Sequence, residues 1–220
     1  MKKRTGEILR ILDEMYDVEW KCYLDYREPW QLLIATILSA QCTDARVNLV
    51  TKDLFVKYPS VASFAEADLS ELEQDIKSTG FYHNKAKNII ACCRALHTEY
   101  RDEVPRSLEE LTALAGVGRK TANVIRGNIY GDPSIVVDTH VKRISKRLGL
   151  TKETDPTKVE FDLMKELPRE KWIVYNLQLI TFGRDICKAQ RPECERCSLR
   201  AFCVEYAQKT KGAGKKKSQR

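Results

Sequence analysis

The run Leu111-Thr-Ala-Leu-Ala-Gly116-Val-Gly118-Arg-Lys120-Thr-Ala-Asn-Val-Ile125, followed closely by Val136-Val137-Asp138-Thr-His140, decides how the chain is read. Leu111, Leu114, Val117, Ala122, Val124 and Ile125 are apolar and flank a Gly-x-Gly turn. The pattern predicts helix, tight turn, helix. Glycine lets the backbone turn sharply and lets a ligand come close, because no Cβ stands in the way. The amides of Val117, Gly118, Arg119 and Lys120 then sit at the start of the second helix. Main-chain N–H groups at the positive end of a helix form an anion site that a nucleic-acid phosphate fits. Gly-x-Gly alone reads equally well as an ordinary helix–helix turn. Lys120 tips the balance: a cation in the first helical turn opposes the helix dipole. That placement costs stability and favours the neutral, nucleophilic amine.

Ser107 and Glu110 have capping-box spacing before the first helix of this strip. Outward from the strip, nearly everything reads as helix. Helical patterns cover residues 6–16, 30–40, 44–58, 60–66, 68–77, a segment after Asn84 to about 100, 139–148, 156–166 and 170–185. The helix at 30–40 is apolar almost all round, which predicts a central, buried element. Ser134–Val137 is the one strand-like run and is too short to found a sheet. The chain is therefore expected to be all-α.

Two polar or aromatic breaks stand out. Ser39-Ala-Gln41-Cys-Thr43-Asp44 reads first as a helix cap, through Thr43 or Asp44. Gln41 itself lies between helices and is free to project, so it also reads as a residue that fills the gap left by an extruded nucleotide. Phe81 and Tyr82, after Gly80, read either as core aromatics or as a wedge between base pairs.

The chain has 220 residues and a formal charge of +7. Residues 209–220 hold six positive side chains and no acid, which leaves the rest at a net +1. A nucleic-acid surface on the body must then come from charge distribution. The basic end itself reads as a disordered tail. Met1-Lys-Lys-Arg-Thr precedes no apolar signal core, and no segment is apolar enough to span a membrane, so a cytoplasmic protein is expected. That setting disfavours a disulfide framework for the eight cysteines. Cys22, Cys42, Cys92 and Cys93 are scattered. Cys187-x6-Cys194-x2-Cys197-x5-Cys203 crowds four thiols into seventeen residues. Zinc prefers two close pairs, whereas one irregular loop with four cysteines favours a [4Fe–4S] cluster. Lys188, Arg191 and Arg196 between them read as facing a polyanion or as offsetting the charge of the cluster.

Together, Leu114-Ala-Gly-Val-Gly-Arg-Lys120-Thr-Ala, Val137-Asp138-Thr-His140, Leu38-Ser-Ala-Gln41-Cys-Thr-Asp44 and the 6-2-5 cysteine spacing resemble the endonuclease III family of DNA base-excision glycosylases. The resemblance spans about residues 1–207. It implies a helix-hairpin-helix glycosylase fold of two helical lobes: a six-helix barrel over 22–133, and an iron–sulfur lobe built from 1–21 with 134–208. It implies a bifunctional enzyme that removes oxidised pyrimidines from double-stranded DNA and cuts 3′ to the abasic site. A monofunctional mismatch glycosylase and a noncatalytic DNA-binding iron–sulfur protein are the alternatives. By resemblance Lys120 is the nucleophile, Asp138 its acidic partner, and Cys187, Cys194, Cys197 and Cys203 the cluster ligands; Asp138, before Thr139-His140-Val141, also reads as a helix N-cap. Gln41 fills the gap, and the hairpin residues 116–119 hold the backbone. The wedge falls on Phe81, where the family commonly has an aliphatic residue, so Tyr82 stays open beside it. Ala115 and Cys42 also depart from the usual pattern. A monomer bound to the nucleoid of a prokaryote is the expected setting.

Overall fold

Apolar periodicity and end signals account for the helices. The computed structural model describes residues 2–16 and 22–217, the side chains only to residue 210. Pro29 occupies the first turn of a helix over Pro29–Leu38, and the side chains of Glu28 and Gln31 cap it reciprocally. Every residue from Leu32 to Leu38 is buried, so this helix has no solvent face, as its sequence predicts. Burial of each Leu or Ile there contributes about 1.5–3 kcal/mol.

In chain order the helices are α1 (Lys3–Met15), α2 (Pro29–Leu38), α3 (Asp44–Lys57), α4 (Val61–Ala65), α5 (Leu69–Asp75), α6 (Tyr82–Glu99), α7 (Leu108–Ala113), α8 (Arg119–Tyr130), α9 (Thr139–Arg147), α10 (Pro156–Glu166), α11 (Trp172–Asp185) and α12 (Val204–Lys217). Among the described residues there is no β-strand, and Ser134–Val137 is irregular. The chain is all-α. Helix α6 begins at Tyr82, earlier than expected, because Phe81 takes a left-handed backbone that ends the preceding turn.

Two compact units divide the chain: residues 22–132, and residues 1–21 with 133–220. In the first, α2 is surrounded by Val47, Leu54, Phe64, Leu72, Ile89, Leu96, Leu111 and Ile125 from α3 to α8. Trp30, Phe55 and Phe64 pack edge to face, with centroids 5.4–6.3 Å apart. The buried thiols of Cys92 and Cys93 belong to this core, and burial pushes that of Cys92 up to about 12.

The second unit gathers chain segments that are far apart in sequence. Ile8 and Leu12 of α1 join Val141 and Ile144 of α9, Leu163 of α10, and Tyr175, Leu179 and Phe182 of α11. Polar ties fix the N-terminal helix in place. The Asp13 carboxylate accepts from Lys171 Nζ at 2.8 Å and from Gln178 Nε2 at 2.9 Å. Arg4 donates to the Phe202 and Leu148 carbonyls. Residues 209–217 continue α12. Lys209 pairs with Glu205 one turn earlier at 2.6 Å, and the Thr210 hydroxyl returns to the Tyr206 carbonyl. Residues 218–220 lie outside the described residues.

Candidate functional site

Ser107 opens α7 by accepting the Glu110 N–H at 3.1 Å, and its hydroxyl donates to the Glu110 carboxylate at 2.6 Å. The helix ends at Ala113, and the chain turns through Leu114-Ala-Gly-Val-Gly118 into α8. Gly116 sits at φ +76°, and a Cβ there would come within 2.9 Å of Asn88 Cβ in α6. It therefore needs glycine twice over, for the conformation and for the close approach. Gly118 differs. Its backbone is extended, and nothing lies within 4 Å of where a Cβ would stand. Its missing side chain leaves an open approach to the backbone and serves no internal turn. A second correction concerns Val117, whose N–H is bonded to the Leu114 carbonyl at 3.1 Å and whose side chain is buried. That amide closes the turn and does not join an anion site. The donor-rich end begins at Gly118, the N-cap of α8, which offers no side-chain cap.

Lys120 is the second residue of α8 and is exposed. Among the described residues its amine has no ion-pair or hydrogen-bond partner. The amine stands at the positive end of a helix, beside backbone that a ligand can reach.

Gln41 and Phe81 share an uncommon feature. Both are exposed, and both adopt positive φ, +54° and +51°. Phe81 is 63% exposed, which removes the core reading for it. Tyr82, the first residue of α6, is half-buried and packs against the core of its unit. Non-glycine residues held in this region cost about 1–3 kcal/mol each and cluster at functional sites. Thr43, two residues after Gln41, caps α3 by accepting the Arg46 N–H, as its position predicts.

The other candidate residues belong to the second unit. Asp138 is the N-cap of α9, and its Oδ1 accepts the Val141 N–H at 2.7 Å. The cap leaves the second carboxylate oxygen for other work. Asn176 of α11, which periodicity alone does not single out, holds the approach to Asp138 by donating to the Val136 carbonyl at 3.0 Å. His140 packs against Gly183 of α11. Burial is the main cause that lowers its basicity, and Arg143 and Arg184 add to this against the opposing pull of Asp138. A Cβ on Gly183 would overlap the His140 ring and lie 3.0 Å from both Arg143 Nη2 and Ile144 Cδ1. Gly183→Ala is therefore expected to destabilise the protein. Alanine gains about 1 kcal/mol of helix propensity, but overpacking costs about 1–3 kcal/mol. A thermal melt checks this, and an unchanged or raised midpoint contradicts it.

Cys187, Cys194, Cys197 and Cys203 border one pocket together with Leu199 and Tyr206. None of the four is in a disulfide. Among the described residues no three Cys, His, Asp or Glu side chains converge as a site for one ion. Arg147 of α9 organises the loop. Its guanidinium donates to Cys187 Sγ at 3.3 Å, to the Lys188 carbonyl at 2.8 Å and to the Ala189 carbonyl at 3.1 Å, and it pairs with Glu205. The Tyr206 N–H points at Cys203 Sγ at 3.4 Å. Arg143 donates to the Cys187 carbonyl at 3.0 Å. The loop's own cations are largely matched by acids: Arg196 by Asp185 and Glu193, Lys188 by Glu193, and Arg200 by Glu195.

Residues 34–169 match the HhH-GPD superfamily base excision DNA repair protein family. Endonuclease III of Synechocystis is 51% identical over 203 residues, covering 92% of either chain. Endonuclease III of Bacillus subtilis is 49% identical, covering 87% of this chain and 88% of its own. Among solved structures, a trapped endonuclease III–DNA covalent intermediate superposes with a TM-score of 0.88 at 46% identity, covering 96% of this chain and all of the other. A thermostable thymine-DNA glycosylase, at 23% identity and a TM-score of 0.84, shares the fold, covering 94% of this chain and 98% of its own. With a glycine hairpin feeding the lysine-bearing helix and this degree of identity along nearly its whole length, the chain belongs to the endonuclease III family within the HhH-GPD superfamily of base excision DNA repair proteins.

Proposed function

We infer that the chain is a bifunctional DNA glycosylase and abasic-site lyase of base excision repair, and that Lys120 is its nucleophile. The observation that carries this reading is an exposed, unpartnered amine in the first turn of α8, beside an uncapped helix end and an open Gly118. DNA enters as the partner because relatives of this chain are known as DNA complexes.

The chemistry follows from the groups present. The hairpin amides from Gly118 onward hold a backbone phosphate. A damaged pyrimidine leaves the stack, Gln41 hydrogen-bonds its widowed partner, and Phe81 wedges the gap. The neutral Lys120 amine forms a bond to C1′, and the N-glycosidic bond breaks with its electron pair on the departing base. Loss of the ring oxygen from C1′ gives a Schiff base, and removal of a C2′ proton expels the 3′ phosphate by β-elimination. Asp138, with one oxygen in the cap, stabilises positive charge on the sugar and relays protons through the other. The reading places the enzyme as a monomer in the cytoplasm of a prokaryote, on the nucleoid. Among the described residues no helix is long and apolar enough to cross a membrane.

The four thiols suit a [4Fe–4S] cluster. They border one pocket, and a cluster takes one thiolate at each iron. Two of the sulfurs face N–H donors, as thiolate ligands do. When bound, the group would supply four covalent links that close the loop. The purified protein is expected to be brown, with absorption near ~400 nm from thiolate–iron bonding. Stoichiometric zinc without iron rejects this part of the reading. Cys197→Ser is expected to lower the melting midpoint of the second unit before it affects the chemistry.

Borohydride reduction in the presence of abasic-site DNA tests the activity. A covalent adduct carrying one strand marks the lyase. Base release without an adduct marks a monofunctional glycosylase, and binding without either marks a noncatalytic protein.

A further inference from the structure

Lys85 is a charged residue sealed inside the first unit, only 4% exposed. It lies in the first turn of α6, four residues after Phe81. Its backbone N–H is bonded to the Phe81 carbonyl at 3.1 Å. Its Nζ donates to the Leu38 carbonyl at 2.8 Å and to the Thr79 carbonyl at 2.8 Å. Leu38 is the last residue of α2 and stands three residues before Gln41. Thr79 ends the short helical turn two residues before Phe81. One amine thus bridges the segments that carry Gln41 and Phe81, two exposed residues at positive φ.

The arrangement has a physical cost and a physical reason. Burial pushes the Lys85 amine below the ordinary lysine value, against an opposing pull from Cys42. An apolar side chain of the same length would fill the space without that penalty. The amine is favoured at the carboxyl end of α2, where its charge meets the negative pole of the helix and an otherwise unmatched carbonyl. What it adds is a fixed link across 47 residues of sequence, between Leu38 and Lys85. Left-handed non-glycine residues persist only where the surroundings over-determine them. Gln41 and Phe81 lie at the ends of the two segments that this link joins.

We propose that Lys85 is a positioning residue for base extrusion, holding the Gln41 and Phe81 segments at one spacing so that both enter the duplex together. The proposal rests on the reading of those two residues given above. Lys85 is buried, and it acts through the two loops whose carbonyls it holds.

The test uses the full-length protein and three substrates: a duplex with a damaged pyrimidine, a duplex with a preformed abasic site, and a single strand with an abasic site. A single strand offers no stack to wedge and no widowed base. Lys85→Met is expected to lower single-turnover base release from the duplex about 10-fold or more at saturating DNA, as misplacement of positioning groups does. The fluorescence rise of 2-aminopurine next to the lesion is lost in parallel. Borohydride trapping on the single strand stays within about twofold of wild type. The Gln41→Ala/Phe81→Ala double variant shows the same loss, and adding Lys85→Met to it costs little more, because the three act as one unit. Equal losses on single and double strands mean a general folding defect and overturn the proposal, as does an undiminished duplex rate. If Lys85→Met does not fold, Lys85→Gln, which stays polar but is too short to reach both carbonyls, is read by the same comparison of duplex and single strand. If Gln41→Ala/Phe81→Ala leaves base release and fluorescence unchanged, the reading of those residues fails, whatever Lys85 does. If that variant is impaired and the Lys85 variants are not, the proposal alone fails.

Discussion

Lys120→Gln is expected to abolish borohydride trapping and strand cleavage while leaving most of the affinity for abasic-site DNA. Glutamine keeps much of the length and polarity of lysine but has no nucleophilic amine. The covalent route is then closed, and the loss in single-turnover rate exceeds about 10⁴-fold, the scale seen when a covalent nucleophile is removed. Affinity survives because the hairpin binds through main-chain groups at the start of α8, which the substitution leaves in place. Loss of one exposed cation still lowers the salt slope of binding by about one unit. Helix stability changes in the other direction. A cation at the positive end of α8 opposes the dipole, so its removal stabilises by about 0.3–1 kcal/mol at low salt. An inactive variant that melts no lower than wild type therefore separates chemistry from folding. A fully active Lys120→Gln protein would falsify the assignment of the nucleophile.

The legible parts of the molecule were those written in short-range pattern. The apolar run of α2, the Ser107 cap and the Thr43 cap each depend on residues within one helical turn of one another. Where Asp138 caps α9, one side chain and one nearby amide suffice. The misread details arose where neighbouring groups competed. Gly-x-Gly does not reveal that Gly116 alone needs positive φ, or that Leu114 takes the Val117 amide. The start of α6 depended on the left-handed Phe81, which is uncommon for an aromatic. Loop cations gave no sign that Asp185, Glu193 and Glu195 would match them. The illegible parts were long-range: Lys85 reaching Leu38, Arg147 reaching the cysteine loop 40 residues on, and Asn176 reaching Val136. A long polar side chain in an amphipathic helix looks the same in sequence whether it faces water or a distant carbonyl. Only the assembled core decides which.

Asp138 poses the sharpest choice, because its structural role and its chemical role predict opposite results for the same pair of substitutions. As an N-cap it supplies one oxygen to the Val141 amide at 2.7 Å. Asparagine retains that acceptor, so Asp138→Asn is expected to melt close to wild type. Alanine loses it, and Asp138→Ala is expected to be less stable by about 1 kcal/mol. If the cap were its whole role, base release would follow the same order, with asparagine nearly unaffected. A carboxylate that steadies a sugar cation predicts otherwise. A neutral amide stabilises positive charge poorly, so asparagine and alanine both slow single-turnover base release by about 10²–10³-fold, the range for removal of one preorganised electrostatic group. Trapping of a preformed abasic site is less affected, because there the base has already gone and no glycosidic bond has to break. Lys120→Gln fails on both substrates, whereas Asp138→Asn fails mainly on the one that still carries a base. Near-wild-type base release by Asp138→Asn, with a lowered midpoint for Asp138→Ala, would reduce Asp138 to a cap.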